Sequence, residues 1–293
     1  MAFIPLVAYG VPLQTDGSTN TALDKARNNV PIVNIANPNS DGLSHNKFIH
    51  YNVGSEGLIL NNSKQTNVDT QLGGIIFGNK NLTNNATVIL NEVSSTNRSS
   101  LKGWTEIAGQ KADLIIANPN GLTINGAGFI NTNNITLTTG KPIFNNNQFN
   151  GLTVNGGDIL IEGTGLNARN QDSTNIYSHY LQLNASINAK NLNIKLGQNT
   201  INKEGDITQS RHSEQAQNLL LDTSNLGGMY ANRITLVGTD KGLGVNLPPE
   251  MLASTGDIII NNNGTLSLQK ISAKGDIQIT SSNDVDVNNN LGS

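Results

Sequence analysis

The chain of 293 residues is long enough to bury a large core, yet charged residues make up only 13% of it and aromatic residues 4%. A net charge of -3 and a pI near 5.8 argue against nucleic acid or an anionic membrane as the primary partner. The absence of cysteine excludes disulfides and thiolate metal sites, which is compatible with a bacterial surface protein that crosses membranes unfolded.

The first 30 residues differ in character from the rest of the chain. Residues 3–8 are apolar but too short to span a bilayer, and no basic segment precedes them, which indicates a signal-peptide remnant or an added sequence. The polar residues that follow predict a cap, because the first turn of a stacked β-fold would otherwise expose an open sheet edge. We expect an N-terminal segment and cap over residues 1–30 and a solenoid over residues 31–293, together forming one structural domain.

From Pro31 onward the dominant pattern is a pair of aliphatic residues two positions apart, bounded by Gly, Asn or Asp. This period of two predicts short strands with one buried face. Gly256-Asp257-Ile258 recurs as Gly275-Asp276-Ile277, and this spacing of 19 residues suits one turn of a β-solenoid. The pairs are Leu58/Leu60, Leu122/Ile124, Ile135/Leu137, Leu152/Val154, Ile159/Ile161, Leu192/Ile194, Ile234/Leu236, Ile258/Ile260, Leu266/Leu268, Ile277/Ile279 and Val285/Val287.

Two stretches interrupt this pattern. Residues 64–109 mix polar residues with the single tryptophan, Trp104, and we expect them to leave the solenoid. Residues 197–225 hold several charged side chains and predict a projecting hairpin or loop, with a helix over residues 213–221 as the competing interpretation.

The strand predicted over residues 112–117 runs directly into Asn118-Pro119-Asn120-Gly121. Proline fixes its own φ, asparagine tolerates left-handed geometry, and glycine frees the chain to begin the next strand, so the segment predicts a sharp corner. If these residues only form a turn, replacing Asn118 or Asn120 by Ala is expected to cost about 1 kcal/mol. The same letters follow Asn34 as Asn37-Pro38-Asn39, which predicts a first corner of the same kind.

The sequence contains no arrangement typical of catalysis or of cofactor binding. His45 and His50 are five residues apart, which places them on opposite faces of a strand. No phosphate loop, nucleophile elbow or calcium-binding nonapeptide is present. The acidic residues mostly stand at strand starts, where capping a turn is their commoner role. We therefore expect no catalytic residue, no metal and no cofactor.

Long segments of the chain resemble the N-terminal secretion domain of two-partner-secreted exoproteins, the group of filamentous haemagglutinins, exported haemolysins and contact-dependent growth inhibition effectors. This resemblance implies an all-β fold, a right-handed parallel β-helix with an N-terminal cap and extra-helical strands or hairpins. It implies recognition by the periplasmic domains of an outer-membrane partner transporter, and passage through the periplasm and outer membrane to the cell surface. The segments that carry it are residues 31–39, 42–48, 57–63, 112–122, 135–142 and 227–230.

The resemblance also implies a role in export for the corner Asn118-Pro119-Asn120-Gly121. The earlier Asn-Pro-Asn-Leu motif of the family stands here as Asn79-Lys80-Asn81-Leu82, so no proline fixes that turn. Many relatives carry a Cys-x-x-Cys pair where this chain has Ile124 and Ala127, so no thiol chemistry is retained.

The interpretation that fits best is a secretion-targeting module that the transporter recognises and that nucleates β-helix folding outside the cell. Two alternatives stay open. One is an adhesin segment whose Asn/Thr faces bind glycans or proteins of a host or neighbouring cell, and the other is a solenoid polysaccharide lyase. We expect a monomer, since polar caps block end-to-end pairing of solenoids.

Overall fold

The computed structural model describes residues 13–211 and 219–287, and every regular element within them is a β-strand. The apolar residues 3–8 lie outside the described part, as does most of the alternative helix over residues 213–221; its last three residues belong to a strand. In chain order the strands are β1 (Gln14–Thr15), β2 (Ala22–Lys25), β3 (Pro31–Asn34), β4 (Leu43–His50), β5 (Leu58–Asn62), β6 (Asn67–Thr70), β7 (Gly74–Phe77), β8 (Val88–Val93), β9 (Ser99–Leu101), β10 (Trp104–Gly109), β11 (Ala112–Ala117), β12 (Leu122–Ile124), β13 (Ala127–Ile130), β14 (Thr132–Thr138), β15 (Lys141–Asn145), β16 (Gln148–Thr153), β17 (Asp158–Ile161), β18 (Leu166–Ala168), β19 (Ser173–Ser178), β20 (Tyr180–Leu183), β21 (Ser186–Ala189), β22 (Asn191–Leu196), β23 (Gln198–Asn202), β24 (Ile207–Arg211), β25 (Leu219–Thr223), β26 (Gly228–Ala231), β27 (Arg233–Gly238), β28 (Gly244–Asn246), β29 (Glu250–Ala253), β30 (Ile258–Asn262), β31 (Leu266–Leu268), β32 (Lys270–Ala273), β33 (Ile277–Ser281) and β34 (Val285–Val287).

Three long sheets contain most of these strands, and the chain visits them in rotation. For example, β19, β20 and β21 lie in the first, third and second sheets, and they pair in parallel with β22, β25 and β26 of the following turn. Each turn of chain therefore adds one strand to each sheet, which makes the fold a parallel β-helix. In spatial order the first sheet is β1-β4-β8-β11-β14-β19-β22-β27-β30-β33, the second is β2-β3-β5-β10-β13-β18-β21-β26-β29-β32, and the third is β34-β31-β28-β25-β20-β17-β12-β9.

The register between turns confirms the repeat that the sequence predicts. Ile258 lies opposite Ile277 in the first sheet, and Leu266 lies opposite Val285 in the third, so one turn here spans 19 residues. The Gly-Asp-Ile sequence therefore marks the same position in two successive turns.

The core is a column of aliphatic side chains enclosed by the three sheets. Side chains alternate between the two faces of a strand, so one member of every two points inward. In one turn, Ile176, Leu181, Leu183 and Ile187 are between 0% and 1% exposed. Full burial of such a side chain contributes about 1.5 to 3 kcal/mol, so stacking of turns is the main source of stability.

Antiparallel strands cover the first turns of the helix. β1 pairs antiparallel with β4 at the edge of the first sheet, and β2 pairs antiparallel with β3 at the edge of the second. The Thr21 hydroxyl donates a 2.8 Å hydrogen bond to Oδ1 of the buried Asn46, which ties this segment to the first turn. These strands occupy the place where the sequence predicts a cap, and the boundary at residue 30 stays a prediction.

The first departure from the stack is shorter than the sequence predicts. Only β6 and β7, in an antiparallel pair, form a separate sheet within residues 64–109. β8, β9 and β10 belong to the first, third and second sheets, so Trp104 stands at the start of a regular strand. The polar composition misled the prediction, because outward positions of a regular turn are polar as well.

The second departure is a four-stranded antiparallel sheet in the order β15-β16-β23-β24. The aliphatic pair Leu152 and Val154 has the predicted buried face, but it lies outside the stack: Leu152 belongs to β16, and both residues pack with Tyr177 and Ile201 in a separate cluster. The period of two shows that a strand has one apolar face but not which core that face contacts. Within the described part of residues 197–225 only β23 and β24 leave the stack, since β25 lies in the third sheet.

Candidate functional site

The corner between β11 and β12 is a tight turn at Asn118-Pro119-Asn120-Gly121. The Gly121 N–H donates to the Asn118 carbonyl at 3.0 Å, and the Asn118 N–H donates to the Thr138 carbonyl of the next turn at 2.9 Å. Gly121 has a φ of 101°, which strongly favours glycine. The predicted corner is therefore present, and the strand before it, β11, spans the predicted residues 112–117.

The Asn118 side chain is 0% exposed and lies inside the turn that it forms. Its Nδ2 donates to the Asn97 carbonyl at 2.8 Å and to Ser99 Oγ at 2.9 Å. Its Oδ1 accepts from the Asn120 N–H at 2.9 Å and from Asn120 Nδ2 at 3.1 Å. The amide is thus bonded on both ends, and it joins the corner to the preceding turn of the helix.

The other asparagine of the corner is only partly buried. Asn120 Nδ2 donates to the Ser95 carbonyl at 2.7 Å, so the loop before β9 supplies acceptors for both asparagines. This loop belongs to the preceding turn and contacts the corner from its N-terminal side.

The C-terminal side of the corner is closed by the segment that leads into β17. A Cβ on Gly157, whose φ is 79°, would lie 2.5 Å from the Pro119 carbonyl oxygen, so the two backbones are in close contact. The Thr139 hydroxyl donates to the Gly156 carbonyl at 2.7 Å and fixes the same segment. The corner is therefore enclosed between two neighbouring turns.

The segment Asn79-Lys80-Asn81-Leu82 forms the same kind of turn without proline. Asn79 is 2% exposed, and its Oδ1 accepts from the Asn81 N–H at 2.9 Å. Its Nδ2 donates to the Ile35 and Asn61 carbonyls at 2.9 and 3.0 Å. The Leu82 N–H closes the turn onto the Asn79 carbonyl at 3.3 Å, a longer contact than the one at Gly121.

The first corner departs from the prediction. Asn37 is exposed, and its Oδ1 accepts from the N–H and hydroxyl of Thr83 rather than closing a turn of its own. The turn forms at Asn39 instead. Its side-chain Oδ1 accepts a hydrogen bond from the Asp41 N–H at 3.0 Å, and its backbone carbonyl accepts one from the Gly42 N–H at 3.0 Å. The turn is shifted because the glycine with positive φ stands three residues after Asn39 and not after Asn37.

The remaining residues predicted for the first corner have structural contacts. Pro38 is buried, and Asn34 Oδ1 accepts a 2.8 Å hydrogen bond from Asn61 Nδ2 of the neighbouring strand. The structure therefore places the Asn118 and Asn79 turns in equivalent geometry and does not place the Asn37 segment with them.

Sequence reasoning missed a guanidinium that crosses the Asn118 corner. Arg98 donates to both carboxylate oxygens of Asp158, from Nη1 to Oδ1 at 2.8 Å and from Nη2 to Oδ2 at 2.7 Å. The only signal was the position of Asp158 at the start of β17, which fits a turn-capping role equally well.

A second polar pair lies deep in the helix, away from this corner. His179 Nε2 lies 2.8 Å from Asp240 Oδ2, and both side chains are 1% exposed. Asp240 Oδ1 also accepts from the Gln198 N–H at 3.0 Å, which fixes β23 where it leaves the stack. The pair bonds to neighbouring turns and has the geometry of a structural contact.

Metal ions in proteins are commonly bound by groups of His, Cys, Asp or Glu side chains. Across residues 13–211 and 219–287, no group of three or more His, Cys, Asp or Glu side chains is arranged to hold a metal ion. The same residues contain no helix long and apolar enough to cross a membrane. Burial raises the pKa of Tyr177 to about 12, with the nearby Asp206 adding to the effect, so this phenol stays protonated.

A parallel β-helix with a covered first turn and projecting antiparallel hairpins is the architecture of a β-helical secretion module. The family model of the TPS secretion domain matches residues 8–268, and the chain belongs to that family. TPS secretion domains are parts of exoproteins exported through the outer membrane to the cell surface, so the predicted family, fold class and localisation are confirmed.

Individual relatives agree with this assignment. The chain is 34% identical to the filamentous hemagglutinin secretion domain, whose crystal structure superposes with a TM-score of 0.75 over 94% of this chain and 98% of that one. It is 46% identical over 266 residues to the 16S rRNA endonuclease CdiA of Enterobacter cloacae and 45% identical over 276 residues to the tRNA nuclease CdiA of Yersinia mollaretii.

These matches cover 90% and 94% of this chain but only 8% and 9% of the two relatives. The nuclease names therefore describe much longer proteins, whereas the family that matches this chain is a secretion domain and not a catalytic one. The family supports a secretion-targeting module over the adhesin and lyase alternatives.

Proposed function

We propose that this domain directs a larger exported protein to an outer-membrane partner transporter, and that the Asn118 corner serves export by closing the fold outside the cell. The observation that carries the second part is the burial of Asn118. An amide that is 0% exposed and bonded at both ends offers no surface to a transporter that meets the folded domain. A role for this side chain must therefore arise before folding or in folding itself.

A role of Asn118 in folding is better supported than a role before folding. The hydrogen bonds of Asn118 reach the loop before β9, and the corner contacts the segment before β17, so its closure fixes how three successive turns stack. Each turn that stacks buries aliphatic side chains and makes return of the chain through the transporter less favourable. Closure of the corner therefore determines when the aliphatic side chains of the following turns can be buried.

The test separates recognition from folding with one variant. Asn118→Ala is produced with the partner transporter, and the amount of domain outside the cell is measured. The same variant, unfolded in urea, is titrated against the purified periplasmic domains of the transporter. We expect export to be lost while binding of the unfolded chain is unchanged and refolding of the purified domain is slowed.

Asn262→Ala is the matched control, because Asn262 is 5% exposed and its Nδ2 also donates to two carbonyls, those of Thr265 and Leu243, far from the corner. This control should be exported. Weakened binding of unfolded Asn118→Ala would assign the residue to recognition by the transporter, and normal export of Asn118→Ala would remove the corner from the export mechanism.

A further inference from the structure

We infer that Arg98 and Asp158 are positioning residues for export that clamp the Asn118 corner across three successive turns. This inference rests on the role of the corner proposed above. Neither residue belongs to the linear Asn-Pro-Asn-Gly sequence, and they are 60 residues apart in the chain.

Strand register brings the two residues to the same level. In the third sheet, Leu122 of β12 pairs with Ser99 of β9 on one side and with Ile159 of β17 on the other. The residues that precede these partners are Arg98, Gly121 and Asp158. The last residue of the corner, Gly121, therefore occupies the register position between Arg98 and Asp158, and the guanidinium crosses it to reach the carboxylate.

Glycine at the centre is what lets the guanidinium cross. A Cβ on Gly121 would lie 2.3 Å from Arg98 Nη1 and 2.7 Å from the Asp158 carbonyl oxygen, closer than atoms approach. Gly121 thus has two roles, since it adopts the positive φ of the turn and also leaves the path of Arg98 open.

The guanidinium is held by more than the carboxylate. Its Nε donates to Thr123 Oγ1 and its Nη2 to the Leu122 carbonyl, both at 2.8 Å, so Arg98 binds the strand that leaves the corner as well as the next turn. Bidentate charge-assisted pairs are stronger and more specific in geometry than single ones. The side chains are 34% and 38% exposed, so solvent screens the attraction, and the value of the pair lies in geometry more than in stability.

This arrangement sets an order of events. Asp158 follows the corner in the chain, after the β15–β16 hairpin, so the clamp can close only when that hairpin and the start of β17 have left the transporter. Until then Asn118 can bond to the preceding turn, but the C-terminal side of the corner stays open.

The test is a double-mutant cycle in export. Arg98→Ala, Asp158→Ala and the double variant are produced with the partner transporter, and extracellular domain is measured beside the unfolding free energy of each purified protein. We expect each single variant to lower export by about tenfold, the effect of losing one charge-assisted contact in a rate-limiting closure, with the double variant no worse than either single one. Arg98→Lys keeps the charge without the bidentate geometry and should restore export only in part.

Lys190→Ala supplies the control, because Lys190 and Asp172 form an ion pair at 2.8 Å that is also exposed and also joins neighbouring turns. It should match the single variants in stability and still be exported. If Arg98→Ala and Asp158→Ala are exported like Lys190→Ala while Asn118→Ala is blocked, the clamp has no role in export and the proposed function stands. If Asn118→Ala is also exported, the proposed function fails with it.

Discussion

Replacing Asn118 by Ala should destabilise the purified domain more than the sequence suggests. A turn former at the surface would cost about 1 kcal/mol, the net value of an ordinary hydrogen bond. In the structure the side chain is 0% exposed, and its removal leaves the Asn120 N–H and the Asn97 carbonyl without their side-chain partner. Leaving a buried polar group unpaired costs about 1 to 3 kcal/mol, so we expect a loss of about 3 kcal/mol in unfolding free energy.

Urea unfolding followed by far-ultraviolet circular dichroism measures this loss, and a thermal scan should show a decrease of about 6 °C at roughly 2 °C per kcal/mol for a chain of this size. Asn79→Ala is the matched variant, because Asn79 is 2% exposed and makes the same set of turn and cross-turn hydrogen bonds. It should lose a similar amount. Asn120→Ala should lose only about 1 kcal/mol, since that side chain is partly exposed and solvent can replace its bonds.

The comparison among the three variants decides the reasoning. Equal losses for Asn118→Ala and Asn120→Ala would show that burial of the amide does not govern its contribution. A loss below about 1 kcal/mol for Asn118→Ala would show that solvent enters the corner and satisfies the freed groups.

Three further predictions concern other parts of the structure. Lys80→Pro should raise the unfolding free energy by about 0.4 to 1 kcal/mol, because Lys80 occupies the turn position that Pro119 holds in the equivalent corner; a decrease in urea unfolding would show that the two turns differ in backbone geometry. Burial raises the pKa of the Asp113 carboxyl, and hydrogen bonds from Asn134 offset this only in part. The protonated carboxyl therefore contributes stability at pH values below the pKa of the unfolded state, and this contribution is lost as the pH rises through the pKa of the folded state. Asp113→Asn should therefore raise the melting temperature at pH 7, with no gain below about pH 3, and a gain of equal size at both values would contradict the assignment. The domain should sediment as a monomer at micromolar concentration, since antiparallel strands cover the first edges of two sheets; a stable dimer would refute this.

Local patterns predicted the short strands of a stacked solenoid and the main corner, whereas the family resemblance implied the right-handed parallel β-helix. The aliphatic pairs show which face of each strand is apolar, and the repeat of Gly-Asp-Ile gives the length of one turn. Asn118-Pro119-Asn120-Gly121 predicts its own turn because proline, asparagine and glycine act within four residues. These features depend on backbone preferences and on a period of two, which the chain displays without reference to its neighbours in space.

Features that depend on distant partners were not predictable in the same way. Asn37-Pro38-Asn39 repeats the letters of the Asn118 corner, but no glycine stands three residues after Asn37, and the Asn37 side chain bonds to Thr83 instead of closing a turn. Arg98 and Asp158 are 60 residues apart, and His179 and Asp240 are 61 apart, so neither pair has a local signature. Each of these contacts appears only once the register between turns is known.

The contribution of one turn to its neighbour can be followed in the described residues nearest the C-terminus. Ile258 is 0% exposed, whereas Ile277, its register partner in the next turn, is 46% exposed. Leu266 is 0% exposed and its partner Val285 is 43% exposed. Because full burial of such a side chain contributes about 1.5 to 3 kcal/mol, the turn that holds Ile277 and Val285 stabilises the turn before it, offset by the entropy of ordering the chain.

Aliphatic burial of this kind recurs at every turn, and it does not by itself distinguish one register from another shifted by two residues, which keeps the apolar face inward. The buried amide of Asn118 does, because its bonds to Asn97 and Ser99 are satisfied in one alignment of β12 against β9 only. A turn that docked out of register would bury these polar groups unpaired, at a cost of about 1 to 3 kcal/mol for each group. The corner therefore specifies how the first turns stack, and the uniform aliphatic column extends the alignment that the corner has fixed.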